Sequence, residues 1–268
     1  MPDITGRTIA ITGASSGIGA ATARAAAAAG MDVVLVARRT ERLEAVAADV
    51  RAAGRTAVCV AADVNDPASD AAILSAAAET GTPLHAVFAN AGYGLDADLL
   101  DCSDAQIRDI FETNVFAADR LLRASARHLL DAGRGGHLLS CCSCVSRFSL
   151  PGSAAYAATK AAQAHLATGL RIELHGTGVT VSSVHPVTTR TEFFDVAAER
   201  GGKTENRLLS NAAARFSQPP ERVASAVVRC LRRPRPEVWT SLTTRTGAAL
   251  MVLSPRLGDF ILRRAQPR

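Results

Sequence analysis

Short apolar runs alternate along this chain with Ala-rich stretches of helical composition, and this alternation restricts the possible folds more than any other feature. The apolar runs are typical of strands and cover residues 7–11, 32–36, 56–61, 84–89, 136–142 and 179–185, with a short last one at 237–240. The helical stretches end at Gly30 or cover residues 41–53, a segment after Pro67, and residues 105–130, 153–175 and 220–232. Such alternation is typical of βαβ units, so the sequence predicts an α/β fold with a parallel sheet and helices on both faces. No repeat or linker interrupts the pattern, which predicts a single domain over residues 1–268.

Composition and charge narrow the function classes. The chain is 48% hydrophobic but only 4% aromatic, which indicates closely packed, Ala-rich helices. Its net charge of +5 is compatible with an anionic ligand or a nucleic acid, but no basic or aromatic groove motif supports the latter, so no nucleic-acid partner is expected. The six cysteines have neither metal-ligand nor disulfide-framework spacing, so no metal is expected. No signal-peptide pattern and no apolar run of ~18 residues is found, so a cytoplasmic protein without a transmembrane segment is predicted.

A glycine-rich turn, TGASSGIG at residues 12–19, follows the first predicted strand directly and opens the first predicted helix. Glycine permits the tight turn and lets the backbone approach a pyrophosphate, which the amides and the positive end of the helix then hold. This placement predicts the dinucleotide site of a Rossmann fold, a doubly wound parallel sheet of about seven strands. A plain glycine turn is the alternative. The predicted cofactor-binding residues of the turn are Gly13, Ser15, Ser16, Gly17, Ile18 and Gly19.

Two arginines follow the second predicted strand, at the position that distinguishes the two nicotinamide dinucleotides. A site for NAD would have an acidic residue there to bind the ribose hydroxyls. This strand instead ends at Ala37 and is followed by Arg38 and Arg39, which can pair with a 2′-phosphate through charge-assisted hydrogen bonds. The sequence therefore predicts NADP(H) rather than NAD(H), with solvated loop arginines as the alternative.

The segment of residues 143–160, SCVSRFSLPGSAAYAATK, carries the groups needed to move a proton onto or off an oxygen. Tyr156 and Lys160 are four residues apart in a predicted helix, so both side chains project from one face. A phenol has a pKa of about 10, and a nearby ammonium would stabilise its phenolate. Ser143, at the end of a predicted strand, could hydrogen-bond the same substrate oxygen. A surface helical pair without function is the alternative for Tyr156 and Lys160.

With the glycine turn and the Ser143, Tyr156 and Lys160 spacing, the sequence resembles the short-chain dehydrogenase/reductase family over roughly residues 7–191. The resemblance implies that Asn114 completes a catalytic set with those three residues. It also implies cofactor contacts from the end of the third strand, the end of the fourth strand, the segment after the sixth strand and the catalytic helix. These residues are Asp63, Val64, Asn90, Ala91, Gly92, Pro186, Thr189, Thr191, Tyr156 and Lys160. Val187 stands where the family usually has glycine, so the backbone there must avoid a positive φ.

For such a protein the resemblance implies an oxidoreductase in which NADPH delivers hydride to a carbonyl carbon while Tyr156 gives its proton to the oxygen. Ser143 and Tyr156 would bind the substrate, Lys160 would lower the Tyr156 pKa and bind the nicotinamide ribose, and Asn114 would hold a water that links Lys160 to solvent. The expected partner is a small hydrophobic ketone or alcohol. A non-catalytic NADP(H)-binding sensor or scaffold of the same fold is the alternative.

Apolar residues mark the expected substrate end. A lid over residues 188–218 would bring in Phe193, Phe194, Leu208, Leu209 and Phe216, and nearby loops would add Leu95, Leu99, Phe148 and Leu150. Packing of the lid on the sheet is the alternative for these residues. The basic tail of residues 241–268 is compatible with peripheral membrane contact, a closing flap or a subunit contact. The resemblance further implies a homodimer or homotetramer formed through two long helices.

Overall fold

The computed structural model describes residues 3–203 and 217–264. Within them, seven parallel strands form one sheet in the order β3-β2-β1-β4-β5-β6-β7, so the predicted doubly wound parallel sheet is confirmed. The strands are Thr8–Thr12 (β1), Asp32–Ala37 (β2), Ala57–Ala61 (β3), Leu84–Ala89 (β4), Gly136–Cys141 (β5), Val179–His185 (β6) and Glu237–Trp239 (β7).

Helices cover both faces of this sheet. They are Gly17–Ala28 (α1), Thr40–Ala52 (α2), Ala68–Glu79 (α3), Asp104–Phe111 (α4), Ala117–Asp131 (α5), Ala154–Glu173 (α6), Phe193–Arg200 (α7), Pro220–Arg232 (α8), Leu242–Leu253 (α9) and Pro255–Arg264 (α10). The α1, α2 and α8 helices share one apolar core, whereas α3, α5 and α6 share the other. Successive residues of β1 serve both cores, since Ile9 and Ile11 lie in the first and Ala10 in the second. Burial on both faces explains why these strands have continuous apolar runs.

The order of the strands places a cleft at the carboxyl edge of the sheet. The crossovers diverge where β1 lies beside β4, and a doubly wound sheet binds its ligand outside the strand ends at such a point. Asn90, just after β4, joins the two strand ends. Its backbone N–H donates to Thr12 Oγ1 at 3.0 Å and its side-chain amide donates to the Thr12 carbonyl at 2.9 Å. The predicted glycine turn and the residues after β4 therefore meet at one place.

The helix predicted over residues 105–130 is interrupted in the structure. A turn of π-helix, Glu112–Phe116, separates α4 from α5. Asn114 lies in this turn and is completely buried, and its side chain hydrogen-bonds the backbone of Tyr93 rather than facing solvent. Turns of this kind are frequent at functional sites, where they redirect one side chain without ending the helix.

Other differences concern the C-terminal part of the chain. The last strand ends at Trp239, one residue earlier than predicted, and the Thr240 hydroxyl instead accepts hydrogen bonds from Val187 N–H and the Gln218 amide. Pro255 divides the tail into α9 and α10, which pack against each other where Gly258 meets Met251. Leu208, Leu209 and Phe216 of the expected lid lie outside the described residues. In the part of the chain that the structure describes, no helix has the length and apolar character to cross a bilayer.

Candidate active site

A cleft of about 690 Å³ opens at the carboxyl edge of the sheet, within the usual size range of small-molecule sites. It is lined by nearly all of the residues that the sequence singles out. Those that line it are Gly13, Ser15, Ser16, Gly17, Ile18, Arg38, Arg39, Asp63, Val64, Asn90, Ala91, Gly92, Ser143, Tyr156, Lys160, Pro186, Thr189 and Thr191. Gly19 and Asn114 do not line the cleft but lie behind its wall.

The glycine turn has the backbone geometry that its sequence predicts. Gly13 and Gly17 have φ angles of +65° and +53°, which side chains with a Cβ rarely adopt. A Cβ on Gly19 would lie 2.2 Å from the Gly13 carbonyl oxygen, so this glycine lets the helix pack on the turn. The Ser16 side chain does not cap α1. The first N–H groups of the helix are therefore available to an anion in the cleft.

Charged side chains crowd the end of the cleft beside β2. Arg39 donates to the hydroxyls of Ser15 at 3.1 Å and Ser16 at 2.9 Å, so it lies over the glycine turn. Arg38 lies on the other side, with its guanidinium 3.7 Å from the Asp63 carboxylate. The two predicted arginines thus flank the site from different directions.

Two further residues complete this charged end and were not predicted. Glu192 accepts hydrogen bonds from Arg39, at 2.9 Å, and from Arg42 in the first turn of α2. These bonds hold the pKa of Glu192 below its ordinary value, so the carboxylate is charged. Arg42 lies only a few residues after Arg38 and Arg39, at the start of the predicted helix, and this nearness in sequence is the signal that could have identified it.

Tyr156 and Lys160 meet in the middle of the cleft. The Lys160 ammonium lies 5.6 Å from the centre of the Tyr156 ring and donates to the Cys141 carbonyl and to Gln163 Oε1, both at 2.7 Å. Burial raises the pKa of the Tyr156 phenol above its ordinary value, and the nearby Ser143 side chain opposes this only in part. Burial also lowers the pKa of Lys160. In the structure, desolvation rather than the expected ammonium charge therefore dominates the acidity of the phenol, which stays protonated.

Ser143 is held from below by a histidine that the sequence analysis missed. The His185 ring hydrogen-bonds the Ser143 carbonyl at 3.1 Å and the Ser146 hydroxyl at 3.0 Å. It is also stacked on Trp239, with ring centres 4.5 Å apart and planes 6° apart. The imidazole therefore fixes the backbone that presents Ser143. The sequence signal that could have identified His185 is its position at the end of β6, one residue before Pro186.

Asn114 supports the cleft from behind. Its carbonyl oxygen accepts from the Tyr93 N–H at 3.0 Å, and its amide donates to the Tyr93 carbonyl at 2.9 Å and to Thr159 Oγ1 at 3.1 Å. A Cβ placed on Gly92 would lie 2.8 Å from the Asn114 oxygen and 3.6 Å from the Lys160 nitrogen. Asn114 thus fixes the loop after β4 next to Lys160. The water that the resemblance implies between these two side chains stays a prediction.

The segment after β6 follows the edge of the cleft without strain. Pro186 accepts a backbone hydrogen bond from Cys144 at 2.9 Å, and Thr191 packs on Gly17, where a Cβ would lie 2.9 Å from the threonine methyl. All positive φ angles in the described residues belong to glycines, so Val187 avoids a positive φ as expected. The Thr189 side chain bonds within this segment, since its hydroxyl donates to the Val187 carbonyl at 2.7 Å.

Aromatic and aliphatic side chains form the other end of the cleft. The Phe193 ring lies 5.1 Å from the Tyr156 ring and contacts Phe194, and both phenylalanines line the cleft together with Leu150. Tyr93 and Arg200 also line this end and were not predicted. The other expected substrate-side residues, Leu95, Leu99 and Phe148, do not line it. In the described residues, no cluster of histidine, cysteine, aspartate and glutamate has the arrangement of a metal site.

Comparison with known proteins agrees with this geometry. Residues 7–200 match the family model described as short chain dehydrogenase. The ketoacyl reductase HetN of Nostoc sp. is 30% identical over 269 residues, which cover 98% of this chain and 90% of that protein. A short-chain dehydrogenase of Burkholderia phymatum in complex with NAD superimposes with a TM-score of 0.87 at 26% identity, covering 96% of this chain and 97% of that one. One from Sphingobium yanoikuyae in complex with NADPH gives 0.77 at 30% identity, covering 98% of both chains. The fold, the strand-end cleft and these matches together show that this chain belongs to the short-chain dehydrogenase/reductase family of oxidoreductases.

Proposed function

We propose that this protein transfers hydride between NADP(H) and a hydrophobic ketone or secondary alcohol, with Tyr156 as the proton donor or acceptor. The observation that carries the proposal is the half-buried phenol of Tyr156, which lines the same cleft as Ser143 and has the Lys160 ammonium 5.6 Å from the centre of its ring. A dehydrogenase needs a proton carrier beside the reacting oxygen. No sensor or scaffold would need this arrangement.

The residues present fit a nicotinamide dinucleotide. The uncapped N-terminus of α1 suits a pyrophosphate, and Arg39, near the end of β2, occupies the position where this fold discriminates the adenosine ribose. Arg42 adds a second guanidinium nearby, and an arginine fork matches the geometry of a phosphate. These contacts support NADP(H) as the cofactor, and when bound it would supply or accept the hydride.

The chain's own groups would then manage the proton. In reduction, Tyr156 donates its proton to the developing alkoxide while the Ser143 hydroxyl donates a hydrogen bond to the same oxygen. The raised pKa of Tyr156 keeps the phenol protonated at neutral pH, which suits the role of acid. Lys160 lies within one helical turn of the phenol, where a retained ammonium would stabilise the phenolate left behind. We propose that Asn114 fixes the position of the loop after β4 relative to this lysine.

Replacement of Tyr156 by Phe tests the assignment because it removes only the hydroxyl. Loss of a positioned acid or base typically costs about 10² to 10⁴ in rate, so turnover of a ketone panel should fall by that range. Binding of NADPH, measured by its fluorescence, should stay close to that of the parent protein. Unchanged turnover would refute the role of Tyr156. Tight NADPH binding by the parent protein without turnover of any carbonyl would instead support the sensor alternative.

We also propose that the protein self-associates through α5 and α6, as expected from the sequence. Phe116, immediately before α5, is 55% exposed, and Leu166 and Ile172 on α6 are 45% and 68% exposed. Apolar side chains exposed together on long helices favour burial in a subunit interface. Sedimentation of the parent protein and of a variant with Ile172 replaced by Glu tests this proposal, since the variant should shift to the monomer.

A further inference from the structure

The last residue of α7 brings a positive charge to the substrate end of the cleft that the proposed proton transfer does not use. Arg200 lines the cleft, and its guanidinium carbon lies 3.9 Å from the centre of the Tyr93 ring. Across residues 3–203 and 217–264, no carboxylate forms a salt bridge with it. A guanidinium stacked on an aromatic face keeps its planar edge of N–H donors available for another group.

The backbone that carries Arg200 is fixed by three contacts from two other segments. The Asp96 N–H donates to the Ala197 carbonyl at 3.0 Å, and the fully buried Asp96 carboxylate accepts from Lys203 Nζ at 2.6 Å. The Gln106 side chain donates to the Arg200 carbonyl at 3.0 Å. The arginine therefore projects from an anchored helix end rather than from an unattached loop.

The surface between this arginine and the reacting centre is apolar. Phe193, Val196 and Arg200 are spaced as i, i+3 and i+7, share one face of α7, and all line the cleft. The Phe193 ring is 5.1 Å from the Tyr156 ring, and the seven steps along the helix from Phe193 to Arg200 correspond to a rise of about 10 Å. A substrate lying along α7 would thus meet a phenol, then an apolar wall, then a guanidinium.

Besides Asp63 and Glu192, two further carboxylates line the cleft, and they raise the possibility of a cationic substrate. Asp109 of α4 and Glu112 of the π turn are exposed and could attract a cation instead. Arg200 is exposed as well, but its guanidinium carbon lies 3.9 Å from the centre of the Tyr93 ring, and this contact limits the orientations that the guanidinium can take. A guanidinium can bind a carboxylate through two parallel N–H donors, a defined geometry that an ammonium and an acidic side chain do not share.

We propose that the substrate is an amphiphilic carbonyl compound with a carboxylate on the order of 10 Å from its carbonyl group, and that Arg200 binds this carboxylate through paired N–H donors. The inference rests on the proposed function and specifies the substrate class of the same site. Tyr93 orients the guanidinium from one face, and the apolar wall of α7 binds the chain between the two ends.

Kinetics with matched substrates test this assignment. The probes are a medium-chain methyl ketone that ends in a carboxylate, its primary amide and its trimethylammonium analogue, each reduced with NADPH. The carboxylate should show a KM at least about tenfold lower than that of the amide, since a hydrogen bond to a charged group is worth that much in affinity. Arg200→Gln should lower the acid-to-amide ratio of kcat/KM by about tenfold, mainly through KM.

A charge-matched control separates local binding from general electrostatics. Arg108→Gln removes the same charge from an exposed residue of α4 that does not line the cleft, and it should change the ratio less than about twofold. NADPH fluorescence titration of both variants reports whether the fold and the cofactor site are retained. Equal loss of the ratio in the two variants would overturn the role of Arg200.

A binding measurement separates failure of this inference from failure of the proposed function. The carboxylate ketone and its amide are titrated into the NADP⁺-loaded protein by calorimetry, and the carboxylate should bind at least about tenfold more tightly. Reduction of all three ketones with similar KM would overturn the inference and leave the function intact. Preferred binding of the trimethylammonium compound would overturn it in favour of Asp109 and Glu112. Selective carboxylate binding without any turnover would refute the function while retaining the anion site.

Discussion

Glu192→Gln is the substitution that most directly tests how the cofactor is chosen. In the structure this carboxylate accepts hydrogen bonds from both Arg39 and Arg42, the guanidinium groups proposed to bind the 2′-phosphate of NADP(H). A phosphate in that place would have to displace Glu192 from Arg39 or lie beside a like charge. NADH has no 2′-phosphate and would leave the ion pairs intact. We therefore expect the substitution to strengthen binding of NADPH and to leave binding of NADH unchanged.

The size of the effect follows from the exposure of the three side chains. They are 45% to 49% exposed, and ion pairs at such positions typically contribute about 0.2–1 kcal/mol each. The two pairs that would be given up therefore correspond to about a 2- to 30-fold gain in NADPH affinity for the glutamine variant. The gain should decrease at high salt because exposed charges are screened.

The assay is a fluorescence titration of both cofactors against the parent protein and the variant, at low and at physiological salt. Glu44→Gln is the matched control, since it removes a carboxylate from an exposed pair with Arg51 on the same helix as Arg42 but outside the cleft. Its NADPH affinity should equal that of the parent protein. The pH dependence has a defined sign. Because the pKa of Glu192 is lowered, the parent protein should bind NADPH more weakly than the variant at neutral pH. This difference in affinity should disappear only as the pH falls through the lowered pKa and the carboxylate is protonated.

Two results would refute this reasoning. An unchanged ratio of NADPH to NADH affinity would show that the 2′-phosphate does not use Arg39 and Arg42. A loss of NADH affinity in the variant would show that Glu192 accepts a hydrogen bond from the ribose 2′-hydroxyl, which would make NAD(H) the cofactor.

Three further predictions concern the proton carrier, the glycine turn and the core. Burial raises the pKa of Tyr156, so initial rates of ketone reduction should be nearly flat around neutral pH, while alcohol oxidation, which needs the phenolate, should rise with pH and never fall. Gly19→Ala would place a methyl group 2.2 Å from a backbone oxygen, so it should weaken NADPH binding at least about tenfold. Gly169→Ala is the control, since this glycine faces open space on a helix, and the substitution should raise the free energy of unfolding in urea by about 0.5–1 kcal/mol. Asp32→Ala should lower the free energy of unfolding by about 3 kcal/mol or more, because the carboxylate is only 4% exposed and pairs with a partly buried arginine. Asp49→Ala, which removes a half-exposed ion pair, should lower it by at most about 1 kcal/mol. Equal losses in the two variants would contradict this account.

The convergence of the site could be predicted from the sequence because it depends on strand ends. In a parallel sheet every carboxyl end lies at one edge, so residues that follow different strands approach one another whatever the loops do. Gly13 after β1, Asn90 after β4, Ser143 after β5 and Pro186 after β6 all line the cleft for this reason. Knowledge of the strands alone was sufficient for this part of the site.

Residues on helices were harder to assign, because their neighbours depend on how a helix is turned and docked. Glu192 contacts Arg39 across 153 residues of sequence, and no local pattern pairs them. The π turn around Asn114 was missed for a related reason. The residues near it favour a continuous helix, and the interruption coincides with hydrogen bonds to the backbone of Tyr93 in another segment.

The spacing of Tyr156 and Lys160 predicted that their side chains are close, but it did not predict how far they are removed from water. Tyr156 and Lys160 are four positions apart in the sequence, and the two side chains do lie near each other. Their acidity depends on burial, which the spacing does not contain. The lysine makes its hydrogen bonds with Cys141 and Gln163, and both titratable groups are shifted toward their neutral forms. A bound cofactor would add charge and hydroxyl groups to this same environment.

The short helix α7 connects the parts of the site that the sequence analysis treated separately. Glu192, immediately before it, contacts the arginines at the charged end of the cleft, and Phe193 packs on Tyr156 at the centre. Arg200, its last residue, lines the opposite end of the cleft beside Tyr93, where the substrate is proposed to bind. Because one helix of about two turns and the residue before it make these contacts, a displacement of α7 would alter all three together. Cofactor choice and substrate choice in this protein are therefore expected to be energetically coupled through α7, in addition to any contact between the two ligands.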